Sequence, residues 1–523
     1  MKLLRFPIYP LLIAAFPVLS LYAHNCAYIR FVDFLTPFFL SVGFTVVVFA
    51  VTFLFMGTLR KAAFLASAIA LLVFSYDYIF GLMWHEHIGS FVFNNHKNMG
   101  LVLGSFIVLI ALVIRFLPIR FLTITRIINV VAITLIVLPV FSIVEYHFSN
   151  QRQSPSNDRS KPAHHENAAP DTIMPDIYYL IFDRYASAAT LQKRFWLDNT
   201  PFENNLRKKG FYVVSQSTSN YPKTAYSLAS SLKMDYIDEL SVEWGGATNN
   251  WKPIYDKLQN FKVLDFLKRR GYRFVLAGSW WEPTRFNPRA DQVINYRSIP
   301  EFFGVFYRST AFYPFLSMAG IVDIRHNQWL RIKHEFKELG QVKRVDSRPV
   351  FVFAHLLIPH NPFVFDSNGS YIPYEKEMYR NQDSCYHAQL IYANRLIGEL
   401  VDSLLQKNPK PVIILQADEG PHPRAYEQDE NHYNWQTAST QELLEKFTIF
   451  NAIYLPKAAD TSQLYPCMTP VNTFRTVLSL YCDTVMPVLA DKNFVFRSTD
   501  QIYDFIEITH RINPTRCKKA FPE

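Results

Sequence analysis

Hydrophobic residues follow two different patterns along this chain of 523 residues. In the first part they form long apolar runs, each close to the roughly 20 residues with which a helix crosses the core of a bilayer. These runs cover residues 6–23, 35–56, 62–83, 99–118 and 127–144. In the last part the apolar runs are much shorter and alternate with amphipathic stretches of helical length. The pattern predicts membrane helices followed by an α/β domain.

A polar segment separates the two patterns. Residues 150–173 are rich in Gln, Ser, Asn, Pro, Lys and His and contain almost no large apolar residue, a composition typical of a flexible tether. We therefore expect an α-helical membrane domain of five transmembrane helices over 1–149, a linker over 150–173, and an α/β domain over 174–523.

The basic residues of the short loops predict the orientation of the membrane domain. Most fall on the side shared with the N-terminus, and the positive-inside bias places that side in the cytoplasm. Five crossings then place the α/β domain outside, so we expect a multi-pass protein of the plasma (inner) membrane with an extracytoplasmic, periplasmic C-terminal domain. The basic residues on the N-terminal side are Lys2, Arg5, Arg60, Lys61, Arg115, Arg120 and Arg126, against Arg30 and Lys97 on the other.

Two strand-like runs in the α/β domain end in acidic residues. MPDIYYLIFD ends at Asp183, and PVIILQADE ends at Asp418 and Glu419. Open α/β sheets bind ligands beyond the carboxyl ends of their strands, so these acids predict one composite metal or phosphate site. Further strand-like runs interleaved with helical stretches predict a mainly parallel central sheet with helices on both faces.

Charge and cysteine content exclude two classes of function. The formal net charge is +9, but the basic residues are scattered among acids, so we expect no nucleic-acid partner. The five cysteines show no spacing typical of a structural zinc site. An extracytoplasmic domain is compatible with one or two disulfides among Cys385, Cys467, Cys482 and Cys517, as it is with free buried thiols.

Five motifs, in order along residues 174–485, carry a family resemblance: DIYYLIFD, NYPKTAYSLASSLKMDYI, AHLLIPHNPFVFD, VIILQADEGP and NTFRTVLSLY. Together they resemble the sulfatase-like branch of the alkaline-phosphatase superfamily. The arrangement of membrane helices followed by such a domain resembles lipoteichoic acid synthases and phosphoethanolamine transferases.

The resemblance implies a metal site with a hydroxyl nucleophile. The matching metal ligands are Asp183, Thr224, Asp418 and Glu419, with Thr224 as the nucleophile, and Glu419 departs from the family pattern because a His is expected there. A threonine at a helix N-terminus suits this role, since the helix dipole favours an alkoxide and a phosphate. The alternative is that Thr224 caps the helix. Ser227 and Ser219 are lesser candidates.

Several side chains are candidates for substrate binding. The resemblance assigns His360 to phosphoryl contact or to protonation of the leaving group, and Lys223 and His422 are further candidates beside the site. His422 and His432 are also positioned in the sequence to supply the imidazole that Glu419 lacks. His355, within an apolar run, is typical of a buried core histidine.

Oxygen-rich ligands favour Mn²⁺ or Mg²⁺, with Ca²⁺ as an alternative, over Zn²⁺. The C/S-x-P-x-R setting of sulfatases is absent, and threonine cannot undergo their oxidation to an aldehyde hydrate. The sequence therefore predicts a membrane-anchored, metal-dependent phosphotransferase or phosphodiesterase that acts on an envelope lipid or lipid-linked glycan through a threonine nucleophile. Two alternatives are a catalytically inactive sulfatase-like envelope protein that senses lipid or regulates partners, and a sulfuric ester hydrolase.

Overall fold

The computed structural model describes residues 3–84, 86–88, 91–116, 121–153, 174–297, 299–377, 380–456, 461–482 and 484–512. The chain divides into a helical unit, Met1–Ser160 with Ile299–Ile324, and an α/β unit, Lys161–Ser298 with Arg325–Glu523. Most of the expected linker, at 154–173, lies outside the described residues, and its first residues continue a helix that ends at Gln153.

The helices are α1 Tyr9–Asn25, α2 Phe31–Met56, α3 Leu59–Phe74, α4 Tyr76–Met83, α5 His96–Phe116, α6 Phe121–Gln153, α7 Ala188–Phe195, α8 Thr200–Lys208, α9 Thr224–Lys233, α10 Asp238–Trp244, α11 Lys252–Gln259, α12 Lys262–Arg269, α13 Glu282–Arg285, α14 Glu301–Ser309, α15 Phe312–Met318, α16 Ile324–Gln341, α17 Tyr374–Glu377, α18 Gln382–Leu405, α19 Arg424–Gln428, α20 Thr440–Phe447, α21 Thr473–Tyr481 and α22 Thr509–Ile512. The strands are β1 His87–Ile88, β2 Phe91–Val92, β3 Ile177–Phe182, β4 Tyr212–Val213, β5 Arg273–Ala277, β6 Gln292–Ile294, β7 Val350–Leu356, β8 Val412–Gln416, β9 Asn451–Tyr454, β10 Phe494–Ser498 and β11 Gln501–Glu507.

The helical unit contains three helices long and apolar enough to cross a membrane, in α2, α5 and α6. The pair α3 and α4, bent by 63° at their junction, adds a fourth if it forms one span. Helix α1 is shorter, with 17 residues, and contains Pro17 in its interior. Within the described residues the structure thus confirms membrane-length helices, while five transmembrane helices are not confirmed.

A segment far along the chain belongs to the helical unit. Helices α14 and α15 lie between Ile299 and Ile324. Phe302 and Phe306 of α14 are buried in an apolar cluster with Tyr22, Phe34 and Phe74 of the N-terminal helices. The sequence pattern gave no sign of this insertion, because the segment is amphipathic and short like its neighbours.

The α/β unit is built on a seven-stranded sheet with strand order β4-β9-β8-β3-β7-β5-β6. Strands β8, β3, β7, β5 and β6 run parallel, and β9 pairs antiparallel with β8 and with β4 at one edge. The expected mainly parallel sheet is confirmed. A small antiparallel pair, β10 with β11, forms a separate sheet.

Strand β3 is central because both of its faces are apolar. Its alternate residues enter two separate cores, Ile177, Tyr179 and Ile181 on one face and Tyr178, Leu180 and Phe182 on the other. Helices α9, α12 and α21 cover the first face, and α7, α16 and α18 cover the second. A strand buried on both faces reads as a continuous hydrophobic run, as this one does.

Two local features differ from or extend the sequence pattern. The helical pattern of residues 190–209 predicts one helix, but the structure has two, α7 and α8, because Trp196 adopts a left-handed conformation with φ 51° and Pro201 follows. Among the cysteines, Cys467 is disulfide-bonded, while Cys26, Cys385 and Cys482 carry free thiols. Cys517 lies outside the described residues.

Candidate functional site

Neighbouring parallel strands bring distant acids together. Asp183 directly follows β3, and Asp418 follows β8 by two residues, while His355 is the penultimate residue of β7. The ligand atoms of Asp183, His355 and Asp418 all lie within 4.8 Å of one another. His355 Nε2 is 3.4 Å from Asp183 Oδ2. This arrangement can hold a divalent metal ion.

The polar atoms of this group support that assignment. All three side chains are buried, with 3% or less of each residue exposed. Among the described residues, Asp183 Oδ1, His355 Nε2 and Asp418 Oδ2 are buried without a hydrogen-bond partner. Buried polar atoms are normally paired, and two buried carboxylates repel each other, so a cation satisfies all of them at once.

Neighbouring charges shift the pKa values of Asp183 and Asp418 in opposite directions. Burial opposes ionisation of Asp183, but the imidazoles of His360 and His355 and the Arg184 guanidinium hold its pKa below its usual range. Burial, together with the charges of Asp183 and Glu419, raises the pKa of Asp418 well above its usual range. Asp183 is thus the fixed anion of the pair, and Asp418 is the better proton acceptor.

His355 is a functional candidate that the sequence interpretation left in the core. Its Nδ1 lies 2.9 Å from the Thr284 hydroxyl, which orients the ring and leaves Nε2 toward the carboxylates. A polar partner on the second nitrogen is the usual support of a metal-binding histidine. In the sheet His355 lies opposite Ile181, two residues before Asp183. That register, which no single run of sequence contains, brings His355 to the acids.

Thr224 is placed beside these carboxylates at a helix start. It is the first residue of α9, it lines the same cavity as Asp183, and its side chain is near enough to the Asp418 carboxyl group to favour the ionised form of that group. The cap position is occupied by Lys223, and no side-chain cap hydrogen bond is formed there. Ser227 donates instead to the backbone oxygen of Asp418 at 2.6 Å, and Ser219 is fully buried. Thr224 is therefore the hydroxyl with access to the acids and to the helix N-terminus.

Glu419 is engaged by a lysine. Its Oε1 lies 2.7 Å from Lys446 Nζ and 3.6 Å from Arg184 Nε, and both Glu419 and Lys446 are almost fully buried. It lies outside the group formed by Asp183, His355 and Asp418. The ammonium group of Lys446 already compensates its charge.

Two further histidines face the site. His360 is half-buried, and burial together with the Arg184 charge lowers its pKa to about 4. His422 lies between two cations, with Nδ1 2.8 Å from Lys446 Nζ and Nε2 2.9 Å from Arg184 Nη2. Burial and the Lys446 charge lower the pKa of His422 well below its usual range. Both imidazoles are neutral at pH 7.

A cavity of about 680 Å³ opens onto these groups. Asp183, Thr224 and Glu419 line it, together with Lys223, His360, His422 and Arg184. Lys223 Nζ lies 2.8 Å from Glu430 Oε1. His432 pairs with Asp429 and has 84% of its side chain exposed, so it does not contribute an imidazole here. The cavity therefore contains acidic, hydroxyl, imidazole and cationic groups in one place.

One wall of the cavity is aromatic. Its rings form a continuous series, Trp251 to Tyr255 at 6.1 Å and Tyr255 to Trp281 at 5.7 Å between centroids. Trp281 lies 5.7 Å from the His355 ring, and Trp280 lies 6.3 Å from the His360 ring. The aromatic wall therefore begins beside His355 and extends into the cavity.

Comparison with solved structures gives remote similarities. The C-terminal periplasmic domain of EptC from Escherichia coli, solved in complex with zinc, is 12% identical, with 60% of this chain and 84% of that chain covered at a TM-score of 0.40. The lipoteichoic acid synthase LtaP from Listeria monocytogenes is 13% identical, with 62% and 78% covered at 0.39. The soluble domain of lipooligosaccharide phosphoethanolamine transferase A from Neisseria meningitidis is 13% identical, with 60% and 90% covered at 0.39. These values carry no functional inference.

No curated protein sequence matches the chain. The sequence model of the sulfatase family, in contrast, matches residues 187–480, from the turn after β3 to the end of α21. This match covers more than half of the 523 residues and includes Thr224, His355 and Asp418. The chain thus belongs to the sulfatase family, in the alkaline-phosphatase superfamily that its motifs resemble.

Proposed function

We propose that this protein is a membrane-anchored, divalent-metal-dependent phosphotransferase or phosphodiesterase with Thr224 as its nucleophile. The observation that carries the proposal is the position of the Thr224 hydroxyl. It stands at the N-terminus of α9 and lines the cavity with Asp183, and its side chain favours the ionised form of Asp418, which is grouped with Asp183 and His355.

Asp183, His355, Asp418 and the Thr224 oxygen would hold the metal ion. A divalent cation bound there lowers the pKa of a neighbouring hydroxyl and offsets charge on a phosphoryl group. A ligand set with one imidazole among carboxylate and hydroxyl oxygens is compatible with Mn²⁺, and we favour Mn²⁺ or Mg²⁺ as the bound ion. Zn²⁺ would compete for the site because it binds imidazole well. We propose that His355 is the imidazole ligand. It would take the metal-binding role that the resemblance of the motifs assigns to position 419.

The chain's own residues account for the proton and charge movements. Asp418, beside Thr224, would take the threonine proton as the threonine oxygen bonds to phosphorus. The bond to the leaving oxygen breaks in the same step, and that oxygen takes up a proton from water. Free N–H groups at the start of α9, together with Lys223, favour the phosphoryl oxygens. His360, neutral at pH 7, serves best as a base for the acceptor hydroxyl when the bond from Thr224 to phosphorus breaks.

Phosphate esters fit this site better than sulfate esters. A threonine cannot become the aldehyde hydrate that sulfatases of this branch use, and it is the hydroxyl beside the carboxylates here. Transfer to water gives a phosphodiesterase, and transfer to a sugar or lipid hydroxyl gives a phosphotransferase.

The substrate we propose is an envelope lipid or lipid-linked glycan. Membrane-length helices in α2, α5 and α6 support anchoring. The five apolar runs and the distribution of loop charges support five spans, a cytoplasmic N-terminus and an extracytoplasmic domain of about 174–523 after the polar segment. The aromatic wall supports a sugar-bearing substrate, because aromatic faces combined with polar groups suit the apolar face and hydroxyl edge of a sugar ring.

The test uses the purified full chain in detergent with Mn²⁺. We expect hydrolysis of a short synthetic phosphodiester, a phosphoryl adduct on Thr224 in the intact mass, and higher turnover with lipid vesicles than without them. Thr224→Ala should lose at least about a thousandfold in kcat, whereas Thr224→Ser, which keeps a hydroxyl, should retain measurable turnover. Absence of both bound metal and adduct would instead support the inactive, lipid-sensing alternative. Turnover of an aryl sulfate without turnover of a phosphodiester would support the sulfuric ester hydrolase.

A further inference from the structure

One buried lysine ties the loop after β8 to the end of α20. Lys446 has no exposed surface. Its Nζ lies 2.7 Å from Glu419 Oε1, donates to the Gly420 carbonyl at 3.0 Å, and lies 2.8 Å from His422 Nδ1. Gly420 N donates in return to the Lys446 carbonyl at 2.7 Å. Three of the residues from Glu419 to His422 are thus held by a single side chain.

The close approach of the two segments requires a glycine. A Cβ at Gly420 would lie 2.3 Å from the Glu445 carbonyl oxygen and 2.8 Å from that of Lys446, too near for any larger residue. The loop therefore cannot move away from α20 without breaking the Lys446 contacts. Because Asp418 begins this loop, the same contacts fix the direction in which Glu419 points.

Arg184, directly after Asp183, has an unusual backbone conformation. Its φ is 63°, in the left-handed region that residues other than glycine seldom adopt. Trp196 and Met234 share this conformation as C-caps of helices, but Arg184 closes no helix. The Tyr386 hydroxyl holds the turn by donating to the Arg184 carbonyl at 2.8 Å. Strain of this kind persists only where the surrounding structure enforces it, and it clusters at functional sites.

The guanidinium group of Arg184 connects the loops of the site. Its Nη1 donates to Asn361 Oδ1 at 3.1 Å, and its Nη2 lies 2.9 Å from His422 Nε2. Its Nε is buried without a hydrogen-bond partner in the described part of the chain. Arg184 and His422 both line the cavity that contains Thr224.

The donors around His422 outnumber the positions at which its imidazole can accept. A neutral imidazole accepts through only one nitrogen, yet His422 has a cation at each of its two nitrogens. Arg184 Nε makes no hydrogen bond in the described part of the chain, although Glu419 and Asp183 oxygens lie 3.6 and 3.9 Å away, and the N-terminus of α9 adds further donors. Phosphoryl oxygens accept such hydrogen bonds, and the planar guanidinium matches them well.

We infer that Arg184 binds the transferred phosphoryl group and that Lys446 is a positioning residue, which keeps Glu419 out of the metal-binding group and sets His422 against Arg184. This inference rests on the proposed function, since it assigns the contact that the phosphoryl group makes at that same site. Neither residue stood out in the sequence, because Arg184 follows a strand like any turn residue and Lys446 sits at the end of an ordinary amphipathic helix.

The experiment compares two affinities of the full chain in detergent: Mn²⁺ alone, by calorimetry, and inorganic phosphate in the presence of Mn²⁺, by tryptophan fluorescence. The variants are Arg184→Gln and the double variant Glu419→Gln with Lys446→Met, which removes both buried charges together. The control is Arg325→Met with Glu377→Gln, a buried pair 2.5 Å apart that does not line the cavity. Thermal unfolding confirms that each variant is folded at the assay temperature.

We expect both test variants to weaken phosphate binding by about tenfold or more, with Mn²⁺ affinity within about threefold of the wild type, because one charge-assisted contact is lost or misplaced. Arg184→Lys should recover part of the loss. The control should change neither affinity. Unchanged phosphate affinity in Arg184→Gln overturns the role of Arg184 in phosphoryl binding, and unchanged phosphate affinity in the double variant overturns the positioning role of Lys446. A loss of Mn²⁺ affinity in the double variant, parallel to the loss of phosphate affinity, overturns the exclusion of Glu419 from the metal-binding group. Failure of the proposed function would instead show as absence of Mn²⁺ binding or phosphodiester turnover in the wild type.

Discussion

Asp418→Asn tests the metal-binding group through stability rather than activity. The substitution keeps the shape of the side chain, and its amide oxygen can still accept from Arg184 N, which lies 3.2 Å from Asp418 Oδ1. It removes one of two buried carboxylates whose ligand atoms lie within 4.8 Å of each other. We expect the metal-free variant to be more stable than the metal-free wild type.

The size of the gain follows from the distance. Two unit charges 4.8 Å apart repel by about 3.5 kcal/mol at an effective dielectric constant of about 20. Arg184 Nε, 3.9 Å from Asp183 Oδ1, offsets part of this repulsion. We therefore expect a gain of about 2 kcal/mol in EDTA, which corresponds to a rise in Tm of about 3 °C for a unit of this size.

The gain should depend on pH in a defined direction. The pKa of Asp418 is raised in the folded protein, so the unfolded chain releases this proton first as pH rises. Stability of the metal-free wild type therefore falls with rising pH above the ordinary aspartate pKa of about 4, and Asp418→Asn escapes that loss. The Tm difference between variant and wild type should widen from pH 5 to pH 8.

Mn²⁺ should reverse the order. At a concentration of about 100 times its Kd, a ligand stabilises the folded state by about 2.7 kcal/mol, which the wild type gains and Asp418→Asn largely loses. Differential scanning fluorimetry in EDTA and in Mn²⁺ measures both effects. Asp383→Asn is the control, because Asp383 is equally buried but pairs with Arg194 at 3.1 Å, so its loss should destabilise under all conditions. An Asp418→Asn protein that is less stable than wild type in EDTA at every pH, or that gains as much from Mn²⁺, would refute this reasoning.

Two further predictions concern groups near and far from the site. Thr284→Val removes the hydroxyl that lies 2.9 Å from His355 Nδ1 and orients the ring of this proposed metal ligand. We expect Mn²⁺ affinity to fall by about 10- to 100-fold in a calorimetric titration. Unchanged affinity would exclude His355 from the metal-binding group. Burial raises the pKa of Glu335 in α16 to about 8, so the unfolded chain releases this proton first and stability falls as pH rises from about 4.5 to about 8. Glu335→Gln should therefore stabilise the protein by up to about 3 kcal/mol at pH 7 and much less at pH 5. An equal change in Tm at both pH values would show that the raised pKa of Glu335 is not the reason.

Much of the fold was accessible from the sequence because it depends on local pattern. The run over 174–183 predicted β3 with Asp183 at its end, and the structure has Ile177–Phe182. The amphipathic pattern from Cys385 to Gln406 likewise predicts a long helix, and the structure has one at Gln382–Leu405. Continuous apolar runs and amphipathic periods leave few alternatives for such elements.

The site was accessible only in part, because it depends on side chains from separate elements. Strand ends indicated Asp183 and Asp418, since the carboxyl ends of parallel strands share one edge. The place of His355 required the register between β3 and β7, which no single run of sequence contains. Glu419 pairs with Lys446, and no sequence motif connects these two residues. The presence of Glu419 where the family pattern expects a His could therefore be interpreted only once Lys446 was known to lie beside it.

The insertion of α14 and α15 into the helical unit affects how this protein can be divided for biochemical work. A fragment that begins at residue 174 would retain residues 299–324 but lose the N-terminal helices around Phe302 and Phe306. Those two aromatic side chains would then face water, and such surfaces promote aggregation. Soluble expression of the α/β unit should therefore require excision of 299–324 with a short polar replacement, in addition to removal of the first 173 residues.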